Sequence, residues 1–131
     1  MNKGNYAIFL DDERTPDQVY WVDYANIPVF ASNSWRIVRT FAQFKEAIAT
    51  YGMPSAVSYD HDIQDFNDGN EYTGTTCARW LLDYCLEQQL TTPPAVIHSQ
   101  NGEGASTIKS LYRSFRKAHP HLASTTTAYT L

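Results

Sequence analysis

Two acidic clusters carry the chemistry that this sequence offers. Asp11-Asp12-Glu13 follows the apolar run Tyr6 to Leu10, and Asp60-His61-Asp62 follows the run Ser55 to Tyr59. A strand ending in carboxylates delivers them where open α/β sheets bind ligands, outside the carboxyl ends of the strands. Crowded carboxylates raise one another's pKa, so a proton or a cation is expected between them. Asp11, Asp12 and Asp60 form the hard-oxygen set that Mg²⁺ or Mn²⁺ prefers, with waters completing the shell. The structural alternative is a turn in which Arg14 pairs with Asp11 and Asp12; the second acidic strand end favours the cation. His61 and His98 admit three readings: ligands of a softer ion such as Zn²⁺, general acid and base, or hydrogen-bonded residues at strand ends.

A third apolar run, Ala95-Val96-Ile97, ends in His98-Ser99-Gln100-Asn101, which brings polar groups to the same sheet edge. Ser99 and Asn101 can donate to phosphate oxygens, although both types also suit a turn. Gly102-Glu103-Gly104 then opens a helix, and the free N–H groups of such a start, Gly104 included, suit an anion. Arg14, beside the first acids, is a further candidate phosphate ligand. His119 and His121 flank Pro120 at a helix end and read as structural. Lys109, Arg113, Arg116 and Lys117 read as a solvated helix face.

These groups must be positioned by alternating elements. Strands are expected near residues 6–10, 35–39, 55–60, 94–98 and 124–130. The two dozen residues after the first acids mix Pro16, Pro28 and Asn33 with aromatics such as Tyr20, Trp21, Tyr24 and Phe30 and read as an ordered loop, long enough in a small domain to be functional. Trp35 to Arg39 alternates as a strand, with Arg36 and Arg39 placed on one face. Thr40-Phe41-Ala42-Gln43 matches a capping box, and Phe41, Phe44, Ile48 and Tyr51 recur at helical spacing before Gly52 stops the helix. The Asp-, Asn- and Gly-rich stretch Ile63 to Thr73 reads as a mobile loop over the site. From Thr75 to Gln89 a helix places Cys77, Leu81 and Cys85 on one stripe and Arg79, Asp83 and Glu87 on another. Helices in three of the four connections give a doubly wound, flavodoxin-like parallel sheet of five strands in the order 2-1-3-4-5, with an irregular first crossover and no final helix. In that order Asp11, Asp12 and Asp60 converge, with His98 and Ser99 beside them.

Composition narrows the classes. The 131 residues, 43% of them hydrophobic, suit one domain spanning residues 1–131 with a core that needs no staples. A formal net charge of −4 argues against a protein that grips bulk double-stranded nucleic acid. Cys77 and Cys85 lie about 12 Å apart along one helix, too far to pair, and read as core thiols in a reducing compartment. No apolar run reaches the length of a membrane span, and Met1 to Asn5 lacks a signal-peptide pattern, so the expectation is a cytoplasmic protein.

Five blocks carry a resemblance over nearly the whole chain. Leu10-Asp11-Asp12-Glu13-Arg14-Thr15-Pro16; Trp35 with Val38-Arg39-Thr40; Ser58-Tyr59-Asp60-His61-Asp62; Gly74 with Cys77-Ala78-Arg79-Trp80-Leu81; and His98-Ser99-Gln100-Asn101 before Gly104 resemble, in order, the receiver-like domains proposed to process cyclic phosphates. The resemblance implies a receiver fold and a metal site at Asp11, Asp12 and Asp60. It also implies His61, Asp62, His98 and Ser99 as an added phosphoesterase set, with His61, His98 and Asp62 catalytic. The chain departs from signalling receivers in having no lysine between Ser124 and Leu131 and no final helix, which disfavours a phosphorelay switch.

The expected function is therefore a bacterial or phage-encoded hydrolase that opens a cyclic phosphate with a divalent metal, Mg²⁺ or Mn²⁺, Zn²⁺ being possible. Its partner would be an RNA 2′,3′-cyclic phosphate end, a cyclic nucleotide or a cyclic ADP-ribose derivative, met by a monomer or small homo-oligomer. Two alternatives stand beside it: a non-catalytic module that sequesters a phosphorylated nucleotide, and a degenerate phospho-receiver.

Overall fold

In a computed structural model, which describes residues 5–124, strands and helices alternate along the chain as an α/β domain requires. Strand β1 (Tyr6–Leu10) is buried at every position, as a central strand covered on both faces must be. It pairs in parallel with β2 (Ser34–Val38) on one side and β3 (Ala56–Tyr59) on the other, and β3 pairs with β6 (Ala95–Ile97). The sheet formed by the described residues thus has four strands in the order β2-β1-β3-β6. The fifth strand expected at Ser124 to Leu131 falls, apart from Ser124, outside the described residues.

Alternation along these strands assigns each residue to a face. Tyr6, Ile8, Leu10, Val57, Tyr59 and Ala95 pack with Phe44 and Ile48 of α2 (Phe41–Tyr51), Cys77, Leu81 and Cys85 of α3 (Gly74–Gln88), and Ile108 and Tyr112 of α4 (Gly102–Ala118). Ala7, Ala56 and Val96 face the other way, toward Phe30, Val22, Tyr24, Ile27 and Trp35. All three long helices therefore lie on one face. Among the described residues the second face is covered by the first crossover, not by the long helices a doubly wound sheet implies. That crossover is two 3₁₀ turns, Pro16–Gln18 and Tyr24–Asn26, and the short helix α1 (Pro28–Ala31), with aromatic packing in place of helical periodicity. Both cysteines are free and buried, and burial pushes the Cys85 thiol up to about 12. Among the described residues no helix is long and apolar enough to cross a membrane.

Three local expectations are corrected. Residues 63–73 are not a bare loop but contain a hairpin, β4 (Asp65–Asn67) against β5 (Asn70–Tyr72). The two residues between its strands, Asp68 and Gly69, have φ of 51° and 80°, and Asp-Gly is a strong short-range signal for a tight hairpin whose twist matches its strands. The hairpin is pinned where Asp65 Oδ2 accepts the Phe41 N–H at the start of α2, at 2.9 Å. Arg36 and Arg39 do not share a face, because a spacing of three reverses the side in a strand. Arg36 lies over the Tyr51 ring at 3.6 Å, whereas Arg39 lies beyond β2 and donates to the carbonyls of Asp11 and Arg14 at 3.0 and 2.6 Å. Arg39 so clamps the acidic loop. The cap of α2 is also shifted: Thr40 Oγ1 accepts the Gln43 N–H, but the Gln43 side chain takes the N–H of Arg39 rather than of Thr40.

Candidate functional site at the carboxyl edge of the sheet

The three central strands each hand one polar residue to the edge by the same rule. Leu10 is in register with Tyr59, and Tyr59 with Ile97, so Asp11, Asp60 and His98 take the next step on adjacent strands. Their N–H groups still bond into the ladder, to the carbonyls of Val38, Leu10 and Tyr59 at 3.2, 2.9 and 2.9 Å, which fixes their backbones. They also share parity with Phe9, Ser58 and Val96 and so face the aromatic crossover. All three are buried, and one ligand atom from each lies within 4.8 Å of the others, a group that could hold a metal ion.

The buried part of the site is a continuous chain of hydrogen bonds. Tyr24 Oη meets Ser58 Oγ at 2.6 Å, Ser58 Oγ meets His98 Nδ1 at 2.8 Å, and His98 Nε2 meets Asp11 Oδ2 at 3.0 Å. The His98 ring stacks on Phe9 with centroids 4.5 Å apart, and Trp21 donates its indole N–H to the His98 carbonyl at 2.8 Å. Asp11 Oδ1 accepts the N–H groups of Glu13 and Arg14 at 3.0 and 2.9 Å. Burial alone would push the Asp11 carboxyl up; the His98 bond and these two amides outweigh it and hold it down at about 2. An ionised carboxylate only accepts, so His98 donates from Nε2 and orients Asp11.

Outward of this chain lies an open hollow of about 180 Å³. It is lined by the acids Asp12, Glu13, Asp60 and Asp62, by Arg14, and by Gln64, Ser99, Gln100 and Asn101. Burial raises the Asp60 carboxyl to about 6, and the charge of Asp11 adds to the effect. Burial also raises Asp12, with the charges of Asp11 and Glu13 contributing. Asp62 is held low by its hydrogen bonds with His61 Nδ1, at 2.9 Å, and with Asn101 Nδ2, at 3.1 Å. A larger groove of about 460 Å³ lies between β2 and α2, but Glu46 is the one carboxylate on its walls.

The residues singled out in the sequence divide accordingly. Asp12, Asp60, Asp62, Arg14, Ser99 and Asn101 line the hollow; Asp11 and His98 sit buried behind it. Asn101 caps α4: its Oδ1 accepts the Gly104 N–H at 3.0 Å, so that amide is already engaged. At Gly104 a Cβ would meet the His61 ring at 2.3 Å, so this glycine makes room for the imidazole. Gly74 plays the same part for the strand end, since a Cβ there would sit 1.9 Å from the Asp60 carbonyl oxygen. Only Gly lets α3 begin against β3 and donate the Gly74 N–H to the His61 carbonyl at 2.8 Å. Ser58, Tyr24 and Trp21 were missed. Ser58 was legible as the one polar residue inside an apolar strand, two before Asp60; the two aromatics depend on the path of an irregular segment.

A parallel sheet with acids at the ends of its first and third strands, and helices between strands, defines a receiver-type domain. The family described as the cyclic-phosphate processing receiver domain matches residues 6–114, and the chain belongs to it. Among curated proteins none matches. The crystal structure of NtrX from Brucella abortus is similar, with a TM-score of 0.50 and 20% identity over 83% of this chain, which spans 22% of that protein. A yeast Spc42 trimeric coiled-coil fusion has a TM-score of 0.48 and 18% identity over 84% of this chain, which spans 66% of the fusion.

Proposed function

We propose that this domain binds a cyclic phosphodiester of a nucleotide or an RNA end at the carboxyl edge of its sheet and hydrolyses it to a monoester. The observation that carries the reading is the mixed lining of one hollow. Arg14, which pairs with Asp11 Oδ2 at 3.5 Å and is still partly exposed, and Ser99 offer donors to a phosphate anion where Asp12 and Asp60 offer oxygens to a cation, while the Asn101 amide is held by Asp62. The donor set fits a hard divalent ion, because Asp60 is held so high that a proton or a metal on it relieves the strain of burial. Asp12 and Asp60, backed by Asp11, would hold that ion; when bound it supplies charge neutralisation at phosphorus and a water of lowered pKa.

The remaining work belongs to the chain's own groups. Arg14 neutralises a non-bridging phosphate oxygen. In the reaction the oxygen of water bonds to phosphorus, one ring P–O bond breaks, and the departing sugar oxygen takes a proton. Asp62 lines the hollow and is bonded to His61, so this pair takes the proton from water and returns one to the leaving oxygen. His98 touches no solvent and acts through Asp11, as a positioning residue. A second reading, phosphorylation at Asp60, is favoured by the position of that carboxylate, at the end of a central strand and open to the hollow.

One experiment decides between them. Incubation of a panel of 2′,3′-cyclic nucleotides, cyclic dinucleotides and a cyclic ADP-ribose derivative with Mg²⁺, Mn²⁺ or Zn²⁺, read by mass spectrometry, should show gain of water on one class. Labelling of Asp60 by a small acyl phosphate, with no turnover of any cyclic ester, would replace hydrolysis by the receiver reading.

A further inference from the structure

We infer that the hollow continues into a nucleobase subsite formed by the first crossover, with the Tyr20 ring as its stacking platform. The inference rests on the proposed binding of a phosphate ester and specifies which part of the ligand lies beyond the phosphate. A second hollow of about 350 Å³, lined by Glu13, Arg14 and Gln18, shares Glu13 and Arg14 with the first. A nucleotide has this bipartite shape, an anion joined through one ribose to a flat aromatic base. Arg14 stands at the junction, its guanidinium over the Trp21 ring at 5.4 Å.

Trp21 is fixed at this place because its indole N–H is bonded to the His98 carbonyl at 2.8 Å. Tyr20 packs edge-to-face on Trp21, with centroids 5.1 Å apart and planes at 89°, and is still 86% exposed. A tyrosine this exposed adds little to the core, yet it packs on the tryptophan over which the Arg14 guanidinium lies, and Arg14 lines both hollows. Bases stack on exposed aromatic rings and on guanidinium planes, and such stacking needs no basic field, in keeping with the net charge of −4.

The test compares adenosine 2′,3′-cyclic phosphate with base-free glycerol 1,2-cyclic phosphate, titrated in EDTA so that neither is consumed. Stacking contributions of this kind correspond to roughly tenfold or more in affinity, so the wild-type protein should prefer the nucleotide by about that factor. Tyr20→Ala should keep the fold by circular dichroism, bind glycerol cyclic phosphate as before and lose the preference. Equal preference in wild type and variant, with both ligands bound, would overturn the subsite and leave the anion hollow standing. If the wild-type protein binds neither ester, in EDTA or with Mn²⁺ added, the phosphate reading fails, and free adenosine decides the subsite alone. Quenching of tryptophan fluorescence by adenosine in wild type but not in Tyr20→Ala retains it; no quenching in either removes it.

Discussion

Asp60→Asn separates the two demands that this edge places on one carboxyl. In the folded protein the Asp60 carboxyl is raised from 3.8 to about 6, by burial first and by the Asp11 charge second. An acid raised on folding contributes stability that is fully present below its unfolded pKa and is lost as pH rises through its folded pKa. At pH 8 the ionised side chain therefore weighs against the fold by about 3 kcal/mol, and at pH 4.5 by about 1 kcal/mol. Asparagine keeps the oxygen that accepts the His61 N–H at 2.8 Å and removes the charge. Urea unfolding of the metal-free proteins should then show the variant more stable by up to about 3 kcal/mol at pH 8, with the gain shrinking to about 1 kcal/mol at pH 4.5. A cation at 100 times its Kd should stabilise the wild type by about 2.7 kcal/mol, whereas the variant should respond weakly. The reasoning is refuted if the variant gains nothing at pH 8 over pH 4.5. Undiminished stabilisation of the variant by Mn²⁺ would take Asp60 out of the cation site.

Two further outcomes follow from the hydrogen-bond chain and the helix starts. His98→Ala strands Ser58 and Asp11 without their shared partner in a buried place and opens a void beside Phe9. It should therefore lower unfolding free energy by about 3 kcal/mol or more, and a loss below about 1 kcal/mol in urea titration would show that His98 does not hold Asp11. Gly104→Ala sets a Cβ 2.3 Å from His61 Cγ, at the root of the ring, so it should displace the His61 ring and lower stability by about 1 to 3 kcal/mol. NMR shifts of the His61 imidazole should move and turnover of the cyclic ester should fall; unmoved shifts would contradict the close packing.

What was legible in the sequence is what a period of two and a list of chemistries can carry. Apolar runs that stop at carboxylates gave β1 and β3, a third that stops at His98 gave β6, and together they gave the edge at which Asp11, Asp60 and His98 meet. The same parity, pressed one residue further, separates Asp11 from Asp12: adjacent residues at a strand end face opposite ways, so one acid goes under the crossover and its neighbour to the hollow. It also places Ser58 with Asp60. The Asp-Gly pair at residues 68 and 69 was equally readable as a turn demanding left-handed backbone, and composition alone hid the hairpin around it.

The crossover itself was not legible, for a physical reason. Residues 16–31 have no repeating period because their order comes from rings packing on rings: Tyr24 on Phe30 and Trp35, with centroids 5.2 and 5.0 Å apart, and Phe30 on Trp35 at 5.2 Å. Such packing is set by the surface beneath, and that surface is built by strands distant in sequence. This segment nonetheless supplies Tyr24 to the buried chain and Trp21 to the His98 carbonyl. A long helix on this face would present its side chains at fixed intervals and keep its own backbone amides bonded. The aromatic segment can bring a phenol to Ser58 of β3 and an indole to His98 just beyond the neighbouring β6, which is the arrangement needed to lock a buried imidazole against a carboxylate while leaving the next acid open to a ligand.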